Sequence, residues 1–197
     1  MKTTAESIRQ HLIDTQPGIE RFLLTHPLVP VLEPSGIHPI EAVPRIVIRQ
    51  MLSLKASDTI IGRVEAKAAE QGLRRIADVD EMSLIECGCS RAKAKTISRF
   101  AEAYQRDPQA IDNWQNLAVD ELLREITSHK GLGMWTASIV AMFHFANEDL
   151  FPLQDSSLRK AVGLMIEHGV ELTPERASPY RTYLASYLWQ LLDQARI

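Results

Sequence analysis

The chain has 197 residues, enough for one large domain or two small ones at roughly 150 residues each. Hydrophobic residues make up 45% and charged residues 24%, an ordinary globular balance that excludes a disordered tail protein. A formal net charge of −3 and a pI near 6.1 do not by themselves point to a nucleic-acid binder, since such domains are often basic.

Helical periodicity dominates, with no alternating strand of useful length, so the expected fold class is all-α. A first helix is predicted over residues 4–14, stopped by Gln16-Pro17-Gly18, and residues 30–39 read as a loop. Further helices are predicted over 40–54, 57–71, 79–86, 91–105, 119–128, 134–146, 156–168 and 174–195. Pro44 falls near the first turn of its helix, where a missing amide donor is tolerated. Asp155 and Thr173 suit the N-cap positions of the last two. Arg91, Lys93, Lys95 and Arg99 form a basic run without an intervening acid, which reads as a solvated helix face unless another feature points to DNA.

The two cysteines, Cys87 and Cys89, stand too close together for a usual disulfide or zinc pair. That excludes a disulfide scaffold, a zinc finger and a four-cysteine iron–sulfur cluster. The first residues lack the apolar stretch of a signal peptide. The longest apolar stretch, 139–145, is interrupted by His144 and is too short to span a bilayer. The expectation is a soluble cytoplasmic protein without a membrane partner. His144 and Glu148, four apart, offer two metal ligands without a third, so no side-chain metal site is expected.

Between two helices lies His129-Lys130-Gly131-Leu132-Gly133-Met134-Trp135-Thr136-Ala137. Two glycines around one aliphatic residue predict a tight turn, with both glycines free to take positive φ. The next helix then begins abruptly, and its free amides and dipole suit one backbone phosphate. Leu132 is placed to plug between the two helices. Taken alone, such a turn also fits a plain connection between helices.

The run Leu123-x-x-Ile126 followed by Gly131-Leu132-Gly133-x-Trp135-Thr136-Ala137 resembles the helix-hairpin-helix of the superfamily of base-excision DNA glycosylases. Phe151-Pro152-Leu153-Gln154-Asp155-Ser156-Ser157-Leu158-Arg159-Lys160-Ala161 is similar to its catalytic segment. Gln50-Met51-Leu52-Ser53 resembles the family's Gln-x-x-Ser signature, and Gly88-Cys89-Ser90-x-x-Lys93 its Gly-x-Ser-x-x-Lys segment. Residues 179–189, ending in Trp189, look like its closing helix. The five ordered motifs cover about residues 38–192 and resemble most the alkyladenine (DNA-3-methyladenine glycosylase II) branch.

The resemblance implies two helical lobes with a cleft between them. One would comprise residues 1–57 plus 149–197, the other 58–148, the latter ending in the helix-hairpin-helix at about 120–146. It further implies that the branch's additional N-terminal β domain is missing. The implied activity is monofunctional: hydrolysis of the N-glycosidic bond of alkylated purines such as 3-methyladenine in damaged double-stranded DNA. It requires no cofactor and is carried out by a cytoplasmic monomer, on the bacterial nucleoid.

By the same resemblance Asp155 would stabilise the charge that develops on the sugar and orient the attacking water. Trp135 and Trp189, with Tyr183, Tyr187 and Gln50, would line a pocket for the flipped base, where aromatic faces attract a cationic purine. Taken singly, each tryptophan fits a core position, and Asp155 a simple N-cap. Gln50 also fits packing and hydrogen bonding near the cleft rather than chemistry. Lys130, Gly131, Leu132, Gly133 and Thr136 would hold phosphate, and an alkali cation can sit on the hairpin carbonyls. The duplex wedge would come from the loop of Cys87, Gly88 and Cys89, with Met82 or Leu84 as alternatives. Bifunctional relatives carry a lysine where Trp135 stands, so no β-lyase step is expected. Ile139 departs from the aromatic expected a turn after Trp135, which leaves the substrate range open. Two rival readings remain at this point: a glycosylase for deaminated or mismatched bases, and a non-catalytic helix-hairpin-helix DNA-binding protein.

Overall fold

The computed structural model describes residues 3–194, with the side chains of the last two left aside; among these the secondary structure is helical and contains no strand. Contacts divide the chain into two compact units, one made of the residues up to Pro34 together with those from Ala146 onward, the other of Ser35–Phe145.

In the first unit lie α1 (Ala5–Thr15), α2 (Glu20–Leu23), α10 (Ser156–Glu167) and α11 (Arg181–Gln194). Helix α1 starts on a capping box between Thr4 and Ser7, and it buries Ile8 and Leu12. Helices α10 and α11 pack directly on one another. Their interior is built from Leu158 and Ala161 on one side and Leu184 and Leu188 on the other. Sequence periodicity predicts one helix over 174–195. Pro179 breaks it, leaving a 3-10 turn at Pro174–Ala177, a cis Ser178–Pro179 bond, and α11 after it. Thr173 precedes that turn without a side-chain cap bond.

The second unit holds α3 (Pro39–Arg49), α4 (Leu54–Glu70), α5 (Glu81–Glu86), α6 (Arg91–Arg106), α7 (Pro108–Asp112), α8 (Val119–Ser128) and α9 (Met134–Ile139), which continues as one π-turn over Val140–His144. Helix α3 begins one residue earlier than predicted, with His38 as its cap, so Pro44 sits inside the helix rather than in its first turn. Ser53, Asp80 and Ser90 cap α4, α5 and α6, each side chain accepting from an amide three residues on. The core gathers Ile48, Val64, Leu84, Ile97, Phe100, Trp114 and Ile126.

The unit boundary differs from the one expected at residue 57. Helix α3 packs on α4, α6 and the 3-10 turn at Ile76–Asp78, burying Val43, Val47 and Ile48, so residues 35–57 belong with the second unit. Lys93 of α6 reinforces this. Its Nζ donates to the carbonyls of Ile48 (2.8 Å) and Gln50 (2.6 Å), satisfying acceptors at the α3 C-terminus. Burial holds the Lys93 amine below the usual lysine range. Lys93→Met is expected to lower unfolding stability by about 1.5–3 kcal/mol, as for a lost hydrogen bond to a charged group. Chemical denaturation measures this; an unchanged midpoint would contradict the assigned role.

Candidate active site and hairpin

Asp155 is the N-cap of α10. Its Oδ1 accepts from the Leu158 amide at 2.6 Å and from Trp189 Nε1 of α11 at 3.0 Å. The turn leading to it is fastened as well. The Asp155 amide donates to the Pro152 carbonyl, and Arg159 Nη1 donates to the carbonyls of Leu153 and Gln154, all at 2.9 Å. A half-buried carboxylate is thus held in one place at a helix N-terminus.

The neighbouring acids are committed to the fold. Asp149 Oδ1 accepts from Arg181 Nε at 2.7 Å and its Oδ2 from Arg181 Nη2 at 3.0 Å and Ser178 Oγ at 2.8 Å. Burial pushes the Asp149 carboxyl up, but these hydrogen bonds outweigh it and hold the group below the usual carboxylate range. Glu148 Oε1 accepts from Tyr183 Oη at 2.5 Å. Asp149→Asn is therefore expected to lower the melting temperature while the folded fraction keeps its rate of chemistry, read by single-turnover assay at a temperature below the transition. Loss of rate without loss of stability would contradict that assignment.

Two pocket positions expected from the resemblance are corrected. Tyr183 and Tyr187 are both 0% exposed. Tyr183 Oη accepts from the Leu32 amide at 3.0 Å, and Tyr187 Oη from the Val29 amide at 3.2 Å. Burial, then the bond to Glu148, pushes the Tyr183 phenol up to about 12. These rings fasten the 29–32 segment to α11 and offer no face to a base. Trp189 is half-buried, and its indole N–H is directed to Asp155.

In the second unit the hairpin joins α8 to α9. Gly131 takes φ +103, as predicted, but Gly133 does not: it caps α9 in extended conformation, φ −87. The Leu132 amide donates to the His129 carbonyl at 3.0 Å, and the Leu132 side chain is buried. Gly131 lies so near α6 that a Cβ there would stand 2.3 Å from Thr96 Oγ1 and 3.1 Å from Thr96 Cβ. A Cβ on Gly133 would meet nothing within 4 Å. Lys130 and both glycines are exposed. Thr136 is buried, its hydroxyl accepting from Gln50 Nε2 at 2.7 Å. The Thr136 hydroxyl and the Gln50 side-chain amide are thus engaged with each other, and together they tie the end of α3 to the start of α9. Trp135, in the first turn of α9, is half-buried.

The wedge reading of Cys87, Gly88 and Cys89 is also overturned. Both thiols are buried, and burial pushes both up from their ordinary range. Leu84 is buried too, and Gly88 has no side chain to insert. Met82 is exposed on α5. The feature missed in the sequence is Met51, 94% exposed and held at φ +56, a conformation costly for a side-chain-bearing residue. Its neighbours Leu52 and Leu54 are exposed as well. The only sequence signal for this loop was its place inside the Gln-x-x-Ser motif. Helical structure ends at His144, so His144 and Glu148 do not share a helical face; His144 Nδ1 lies 2.6 Å from Ser35 Oγ. Among the described residues no cluster of metal ligands occurs, and no helix is long and apolar enough to cross a membrane.

No protein-family model matches the chain. It is 28% identical over 165 residues to the alkylbase DNA glycosidase-like protein mag2 of Schizosaccharomyces pombe, covering 78% of each chain. It is also 28% identical over 165 residues to DNA-3-methyladenine glycosylase 1 of the same organism, covering 77% of this chain and 72% of that one. The structure of the S. pombe 3-methyladenine DNA glycosylase Mag1 in complex with abasic DNA matches at a TM-score of 0.78 and 24% identity, over 96% of this chain and 98% of that one. The chain therefore has the helical fold of the helix-hairpin-helix DNA glycosylases and resembles, in sequence, their 3-methyladenine branch.

Proposed function

We propose that the protein is a monofunctional DNA glycosylase, acting as a monomer, that hydrolyses the N-glycosidic bond of alkylated purines in duplex DNA and leaves an abasic site. The observation that carries this reading is the Asp155 carboxylate, fixed by the Leu158 amide and the Trp189 indole at the N-terminus of α10. Cleavage of the bond builds positive charge on the sugar, and a rigid anion near that charge stabilises it without reorganising. The same oxygens can orient water for attack at the anomeric carbon.

The base must leave the stack to be reached. Met51, exposed and apolar on a strained turn, supports a wedge that fills the gap left in the duplex. Trp135 supplies an aromatic face that favours a cationic alkylpurine over a neutral base. The Gly131–Gly133 backbone, with Lys130 beside it, binds a phosphate. An indole at position 135 cannot form a Schiff base with the sugar, which supports hydrolysis without strand cleavage.

Methylated duplex incubated with the protein is expected to release free methylpurine, with strand breaks appearing only after alkali and no borohydride-trapped protein–DNA adduct. Breaks before alkali, or a trapped adduct through Lys130, would overturn the monofunctional part. Met51→Ala is expected to slow release from a paired lesion by about tenfold, as for a lost intercalating side chain, and to leave release from single-stranded DNA unchanged. Equal losses on both substrates would remove Met51 from the wedge role.

A further inference from the structure

We infer that Trp189 is a positioning residue for Asp155, and that the reaction depends on its indole N–H rather than on its ring face. This rests on the glycosylase reading above. The cap bond from the Leu158 amide ties Oδ1 to α10. An aspartate held by that bond alone retains freedom about its terminal torsion, which is broad and weakly staggered. The Trp189 bond reaches the same oxygen from a different helix. Two donors converging from α10 and α11 fix the direction of the carboxylate plane, and hydrogen bonds to an ionised acceptor are the stronger kind.

Trp189 is itself well anchored. Tyr183 and Tyr187, on the same helix, are locked in the core through the Leu32 and Val29 amides. Arg159 and the Pro152 carbonyl hold the backbone that leads into Asp155. The site is thus arranged around placement of one anion. Displacing a reacting group by about 1 Å can slow chemistry about a hundredfold without altering binding.

Trp189→Phe keeps an aromatic ring and removes the donor; replacing the indole by its benzothienyl isostere keeps the ring's shape and removes the N–H alone. Each is compared with wild type for the saturated single-turnover rate on duplex carrying 7-methylguanine, and for affinity to duplex carrying a stable abasic-site analogue. The expected result is a rate at least about tenfold lower, with affinity within about twofold of wild type. In the Asp155→Asn background the same changes are expected to lower the residual rate no further, because the effect passes through the carboxylate. A wild-type rate for the isostere would overturn the inference, and so would an equal loss in the Asp155→Asn background. A wild-type rate for Asp155→Asn itself would instead overturn the glycosylase reading on which the inference rests.

Discussion

Asp155→Asn is expected to lower the single-turnover release of methylpurine by at least about 10²–10³-fold, the range for losing one preorganised electrostatic group. Asparagine is the informative replacement here. It caps helices about as well as aspartate, so the Leu158 amide keeps an acceptor and α10 keeps its start. Its amide oxygen can also take the Trp189 N–H. What disappears is the charge. Duplex affinity and melting temperature should therefore stay near wild type, which separates lost chemistry from lost structure. Asp155→Ala would confuse the two, since a lost cap alone costs about 1 kcal/mol. A protein that merely bound damaged DNA would pass through the asparagine substitution unaltered.

The second large effect is expected at Gly131, and Gly133 provides its control. Alanine at 131 meets two obstacles: a φ of +103, and a Cβ 2.3 Å from Thr96 Oγ1 on α6. Rotating Thr96 Oγ1 away would still leave Thr96 Cβ 3.1 Å from the new methyl, a tight contact that asks α6 or the hairpin to give. The φ strain alone is of order 1–3 kcal/mol, and the contact with α6 adds to it. Gly131→Ala should destabilise the second unit and abolish tight duplex binding together. Gly133→Ala is different, because its φ of −87 is ordinary and a Cβ would point into open space. That variant should melt like wild type. Any loss of duplex affinity it shows, read by titration at fixed salt, reports a phosphate that approaches the backbone at Gly133. Wild-type affinity for Gly133→Ala would place the phosphate elsewhere.

The helical class and most helix positions were legible because periodicity and capping residues act locally; Asp155 caps its helix as predicted, whereas Thr173 makes no cap bond and Ser53, inside a helix predicted over 40–54, caps the next one. The break at Pro179 and the early start of α3 at Pro39 were harder, since flanking apolar residues continue the helical pattern through both. At the candidate site, motif positions singled out Asp155, Trp189 and the hairpin, but not what each side chain touches. Tyr183 and Tyr187 have the chemistry of a base-stacking wall, and only their burial and their bonds to Leu32 and Val29 turn them into anchors. The same holds for Lys93, which reads as part of a solvated basic helix face yet closes the end of α3. Met51 was invisible because its exposure depends on a left-handed turn between two helices, set by tertiary packing rather than by its own residue type.

The base released by the wild-type protein is the most direct test of alkylpurine excision. Duplexes carrying 3-methyladenine or 7-methylguanine, uracil, hypoxanthine, or a mismatched thymine would each be incubated with the protein, and the free bases identified by mass spectrometry. Release of the methylpurines alone, far above spontaneous depurination, is the predicted result. Release of a neutral base in preference to the methylpurines, or of no base at all, would contradict it.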